Sequence, residues 1–143
     1  MRLAPLTPRR PDWPERLAAL IEERRRAPFR WGAQDCCLLA ADAVVAMTGE
    51  DPATAWRGRY TSEVEAEALL GPAGGLEAVV AAALAEFGAA ECSPPFAQRG
   101  DVALVLAGNQ PTMGMVLGNV VAAPGPEGLA FLPPAAIQRA WSI

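Results

Sequence analysis

The stretch that most restricts what this chain can become runs from Phe29 to Met47. Phe29-Arg30-Trp31-Gly32 leads through Ala33-Gln34 into Asp35, and from Cys36 to Met47 nearly every residue is small or apolar. Asp is a favoured helix N-cap, because its carboxylate accepts the unpaired amides of the first turn. The pattern predicts a helix from Asp35 to about Thr48, with Gly49 as its C-terminal stop. Cys36, Ala40, Ala43 and Met47 share one face, and Cys37, Ala41 and Val44 share the next. A helix that is apolar all round has no solvent side, so this one belongs at the centre of the fold. Asp42 is its one charged residue and needs a partner such as an arginine.

That helix would start with two thiols, Cys36 at its first position and Cys37 at its second. The positive end of a helix dipole favours the thiolate, whereas the neighbouring charge of Asp35 opposes it. Cys36 therefore has two readings. It is either a small residue packing helix against sheet, as free cysteines commonly are, or a nucleophile that still needs a base. The chain holds no histidine, which removes both the commonest general base and the commonest metal ligand. With three cysteines in all, the usual ligand set of structural zinc or of an iron–sulfur cluster is not reached. No metal and no cofactor is expected. A disulfide between Cys36 and Cys37 would be strained within a helix, and Cys92, ahead of Ser93-Pro94-Pro95, reads as a loop thiol.

Other bounds are broad. A chain of 143 residues with 52% hydrophobic residues makes one domain with a real core. A net charge of −4 gives no reason to expect a nucleic-acid partner. The beginning, Met1 to Pro8, has no apolar signal region, and the longest apolar stretch, Leu76 to Phe87, is too short to cross a bilayer. The expectation is a soluble protein made in a reducing cytoplasm, with no membrane partner.

Residues 1–12, rich in proline and carrying Arg9-Arg10, read as an extended arm that touches a neighbour, ahead of a single domain over 13–143. Asp12 is placed as the cap of a first helix with Pro14 in its first turn. Trp13, Leu17, Leu20 and Ile21 form the apolar stripe of that helix, and Glu22 to Arg26 form its charged end. Ser62 and Glu65 make a capping box for another helix ending at Gly71, and Leu76 to Phe87 forms the next, closed by Gly88. Between them, Trp56-Arg57-Gly58-Arg59-Tyr60 reads as a loop. Trp56, Arg57, Arg59 and Tyr60 are of the types that dominate interface hot spots, so the loop is either a contact surface or an arginine-bearing loop folded onto its own domain. After Gly88 come β-rich runs at Val102–Leu106, Thr112–Leu117, Val120–Ala123 and Leu129–Leu132. Asn109-Gln110-Pro111, Gly118-Asn119 and the segment 124–128 are the turns, and the tail from Ile137 adds a last edge strand. Helices first and an antiparallel meander after make an α+β domain, with N-terminal helices packed on a C-terminal antiparallel sheet.

An Asp-Cys step opening a buried helix, then a Gly-Asp-apolar strand, then a β-hairpin, resembles the NlpC-type cell-wall cysteine peptidases. Two segments carry the likeness: Trp31-Gly32 through Asp35-Cys36-Cys37-Leu38-Leu39, and Arg99-Gly100-Asp101-Val102-Ala103-Leu104-Val105 with Met113-Gly114-Met115-Val116-Leu117-Gly118-Asn119. The resemblance implies a papain-like fold over roughly residues 28 to 123, with Cys36 at the nucleophile position. It also implies a catalytic His at the start of the second of those strands. Here that place falls on Thr112, or on Met113 if the alignment slips by one. The place of the third polar residue falls among the apolar Val120 to Ala123. A hydroxyl or thioether cannot replace imidazole as a base near neutral pH.

Within that group the chain is similar to small proteins encoded among phage and prophage tail genes. The resemblance implies a structural component of a tail tip or hub, partnered by other tail proteins, made in the host cytoplasm and carried in the virion. On this reading Cys36 is a vestigial nucleophile. Two alternatives stay open. One is a Cys-dependent peptidase acting on peptidoglycan during phage entry, its base supplied by Asp101, by another residue or in trans. The other is a cytoplasmic tail-assembly factor.

Overall fold

The computed structural model describes residues 7–143; the part of the N-terminal arm from Met1 to Leu6 lies outside the described residues. Four α-helices precede a six-stranded antiparallel sheet, which makes the domain α+β. The helices are α1 (Trp13–Arg24), α2 (Cys36–Thr48), α3 (Glu63–Leu70) and α4 (Leu76–Phe87). The strands are β1 (Ala90–Cys92), β2 (Val102–Ala107), β3 (Gln110–Val116), β4 (Val121–Gly125), β5 (Gly128–Leu132) and β6 (Ile137–Ser142), in the spatial order β1-β6-β2-β3-β4-β5.

Helix α2 is central, as its composition requires. Ala40, Ala43, Val44 and Met47 face the sheet, meeting Leu17 and Ile21 of α1 and Val102, Leu104, Met113, Met115, Ala122 and Trp141 of the strands. Its opposite side, with Leu38 and Ala41, packs on Ala53, Tyr60 and Ala66. Both sides bury apolar area, so no polar stripe survives along the helix. Asp42 is held by Arg24 and Arg57, each at 2.8 Å. Gly49 takes the left-handed conformation that ends the helix.

The sheet alternates as a strand period of two demands. Leu104 opposes Met113, and Val102 opposes both Met115 and Trp141, all on the α2 side. Ala103, Val105, Val116, Val121, Ile137 and Ala140 form the other face, covered by Ala97, Leu132 and Ala136. Gly114 is needed where β3 meets β4, since a Cβ there would stand 2.7 Å from both the Ala122 oxygen and Val121 Cγ1.

Several local expectations change. The tail is not an edge: β6 lies between β1 and β2, and β1, a strand with no clear signature, takes the edge beside it. Cys92 sits in β1, half-buried against the outer face of the sheet, rather than in a loop. Gln110 and Pro111 belong to β3, opposite Ala107 and Leu106, so the turn is shorter than the polar cluster suggested. Asp12 precedes α1 without capping it, because its carboxylate turns to the Arg16 guanidinium instead. Ser62 caps α3 by accepting the Glu65 amide, and Glu65 reaches back one residue further than a capping box does, to the Thr61 amide.

The described part of the N-terminal arm folds onto its own domain. Arg10 donates its amide to Met47. Arg9 donates from Nε to the Ile143 main-chain oxygen (3.0 Å), from Nη1 to Arg99 (3.1 Å) and from Nη2 to Asp101 (3.1 Å), while stacking over Trp13. One guanidinium thus joins both ends of the described chain to the start of β2. Arg9→Ala would leave the buried Asp101 carboxylate without its cation. Denaturant unfolding should show a loss of about 2–4 kcal/mol, against a much smaller loss for Arg16→Ala, whose bond to Asp12 faces water.

Candidate functional site

The carboxylate of Asp35 organises the start of α2. Its Oδ1 accepts the Leu38 amide at 2.9 Å, which is the helix cap. Its Oδ2 accepts the Gly32 amide at 2.9 Å and the Tyr60 hydroxyl at 2.6 Å. Gly32 has φ of +78°, and a Cβ there would strike the Tyr60 carbonyl oxygen, so only glycine lets this loop close on Tyr60. The Tyr60 phenol is pushed far above its ordinary value by burial first, then by its bond to Asp35 and by that charge. It is a fixed donor, not an acid at any working pH.

The two thiols that follow are half-buried and free. They share one proton-donating contact with opposite consequences. The Cys36 sulfur is lowered below the ordinary thiol range, first by the Cys37 thiol that donates to it and then by the amides of Met113 and Cys37. Burial and the Asp35 charge work against this. Cys37, as the donor, is raised well above that range by the same bond and by burial, and it stays a thiol. Cys36 is therefore a hydrogen-bond acceptor set against Met113 of β3, with its thiolate favoured.

Above the thiols opens a cleft of about 570 Å³, within the size range of ligand sites. Asp35, Cys36, Cys37, Trp56 and Tyr60 lie along its floor, and Phe29 and Trp31 border one end. Helix α3, the start of α4 and the turn between them line one wall; Gln110, Pro111 and Thr112 of β3 line the other. The ionisable groups lining it are Asp35, the two thiols, Tyr60, Glu63 and Glu67.

The residues singled out from the sequence separate clearly. Cys36 and Thr112 do meet, on floor and wall of one cleft, while the Met113 side chain is in the core and only its amide reaches the sulfur. The Thr112 hydroxyl donates to the Gln110 carbonyl and accompanies no imidazole. Asp101, the base suggested from the sequence, does not line this cleft; its carboxylate accepts from Arg9, from the Gln98 amide at 2.9 Å and from the Ile143 amide at 3.4 Å. It is withdrawn from that role. The Trp56–Tyr60 loop turns inward only at its two ends, with Arg57, Gly58 and Arg59 exposed between them. Tyr60 is buried on Asp35, Trp56 is half-buried in the cleft, and Arg57 pairs with Asp42 and Asp51. Arg59 alone of the four is an exposed side chain without such a partner among the described residues. No group of three or more metal-ligating side chains is found among the described residues.

Fold and site together define an α+β domain whose central buried helix begins with a cysteine at the floor of a cleft between helices and sheet. The chain belongs to the family described as a domain of unknown function, DUF6950, whose model matches residues 8–143. No curated protein matches it.

Two measurements check this geometry. Tyr60 is the one tyrosine, so tyrosinate absorbance reports it alone. A phenol raised in the folded state contributes stability that is complete below its ordinary value near 10 and is lost as pH rises toward the folded value. Tyrosinate should therefore appear only together with alkaline unfolding; ionisation of the folded protein near the ordinary value would refute the Tyr60–Asp35 bond. In a Cys92→Ser background, Cys36 should alkylate at lower pH than Cys37. Cys37→Ala should move the Cys36 midpoint upward, and an unchanged midpoint would remove the Cys37 thiol as its cause.

Proposed function

We propose that this protein is a structural component of a phage or prophage-like tail, at its tip or hub, built on a catalytically degenerate NlpC-type, papain-like domain. The observation that carries the degenerate-site reading is what accompanies Cys36 in the cleft. Its neighbours there from β3 are Thr112, on the same cleft lining, and the Met113 amide, in a chain without histidine. Losing the base of a catalytic unit costs on the order of a million-fold in one well-studied triad. The NlpC-type reading is supported by the order of its parts: a cysteine-headed buried helix, a Gly-Asp-led strand and a hairpin, with a cleft at their junction. The tail assignment is supported by the likeness to small tail-gene proteins. Its partners would be neighbouring tail subunits, and its location the virion after synthesis in the host cytoplasm.

A second reading is favoured by one observation, the lowered Cys36 thiol. It is a Cys-dependent peptidoglycan peptidase whose base arrives from another chain. Release of stem-peptide fragments from purified peptidoglycan by the assembled particle, lost in Cys36→Ala, would put that reading first.

Two experiments test the proposal. Mass spectrometry of purified particles should find the protein at a fixed ratio to the tail subunits. Its absence from particles, with binding to tail proteins only before assembly, would instead indicate an assembly factor, and no affinity for any tail component would end the proposal. Thr112→His would place imidazole at the vacated catalytic position, and alkylation of Cys36 at neutral pH should then rise about tenfold. No change would mean that Thr112 does not occupy that position.

A further inference from the structure

The cleft wall formed by β3 is an open strand edge. Strand β3 pairs with β2 from Gln110 to Met115, but with β4 only at Met115 and Val116. On the β4 side, the backbone from Gln110 to Met113 therefore has no neighbouring strand. The Met113 amide turns to the Cys36 sulfur, and the three residues before it border the cleft. Pro111 suits such a place, since it brings no amide hydrogen that would need a partner. The pairing register turns the main-chain groups of Gln110 and Thr112 toward β2, so on the cleft side this edge offers two acceptors, the Pro111 and Met113 carbonyls. An extended segment beside it would donate its amides to them while the groove reads alternate side chains.

The opposite wall specifies charge. Glu63 and Glu67 lie one turn apart on α3, and neither forms an ion pair among the described residues. Like charges at that spacing repel, so the wall gains from an added cation. Among the described residues no arginine lines the cleft, although arginine is the chain's only basic residue type. Trp31 and Trp56 add aromatic faces, which attract apolar side chains and guanidinium groups alike. An acidic and aromatic lining repels phosphate, and so it disfavours nucleic acid as the occupant.

We infer that the cleft above Cys36 receives an extended segment of a partner polypeptide carrying arginine or lysine between apolar residues. The segment runs along Gln110 to Met113, directs its basic side chain to Glu63 and Glu67, and lays its apolar side chains against Trp31 and Trp56. This rests on reading the cleft as a packing surface rather than a catalytic one. It goes further by naming the chemistry of the partner.

The test uses the full chain and two capped synthetic peptides, one alternating leucine with arginine, the other alternating leucine with glutamate. Binding is followed by tryptophan fluorescence and by amide chemical shifts. The arginine peptide should bind about tenfold more tightly than the glutamate peptide, and the preference should shrink with added salt. Its shifts should fall on the amides of Gln110, Thr112 and Met113 and on α3. The double variant Glu63→Gln, Glu67→Gln changes only exposed helix positions and should remove most of that preference. Equal affinity for the two peptides, no binding of either, or shifts outside the cleft would overturn the inference while leaving incorporation into particles a separate question. Cleavage of the arginine peptide would overturn both the inference and the reading of the site as silent.

Discussion

A single buried carboxylate holds the active-looking end of this domain together. Asp35 is almost inaccessible and accepts from the Leu38 amide, the Gly32 amide and the Tyr60 hydroxyl. A buried charge is tolerated only when such donors replace its water. Each donor comes from a different piece of the chain: the helix it caps, the loop before that helix, and the segment after it. The start of α2, the closure of the Trp31-Gly32 loop and the seating of Tyr60 therefore depend on one another. Removing any one of the donors loosens the other two.

The consequence reaches the thiols. Because Asp35 fixes where α2 begins, Cys36 and Cys37 sit in its first turn with their sulfurs at the cleft floor. The Cys37 thiol and the Met113 amide favour the thiolate at Cys36, as the helix dipole does, and burial and the adjacent carboxylate disfavour it. No imidazole is there to take the proton away and pass it on. Asp35 is engaged by three donors, Asp101 is engaged elsewhere with Arg9, Tyr60 holds its proton, and the remaining carboxylates of the cleft, Glu63 and Glu67, stand on α3. On the proposed reading the cleft is a packing surface. The edge of β3 and the acidic side chains of α3 are what the inferred partner segment would meet.

Local rules made much of this legible. The Asp35 cap, the Ser62 cap, the Gly49 stop and the demand of Asp42 for an arginine each involve neighbours in sequence or a charge that cannot be left bare. Asp12 shows where a local rule fails, because a nearby guanidinium competes for the same carboxylate. The misplacement of the tail has a different origin. An edge strand and a central strand can share the same alternation, and only pairing with both β1 and β2 distinguishes β6. Tyr60 also carried no local signal of burial. It stands next to Arg59 in an apparent surface loop, and only Asp35, 25 residues earlier, draws it inside.

The sequence by itself determined a central helix with two thiols at its head, the α+β order of elements and the absence of imidazole. Those come from periodicity, capping chemistry and composition, which act over a few residues. Tertiary structure alone decided that Thr112 and Cys36 line one cleft, that Asp101 is tied to both ends of the described chain through Arg9, and that the first half of β3 lacks a strand on one side. Each depends on contacts between residues far apart in the chain, where loop closure and packing select among arrangements that are locally equivalent.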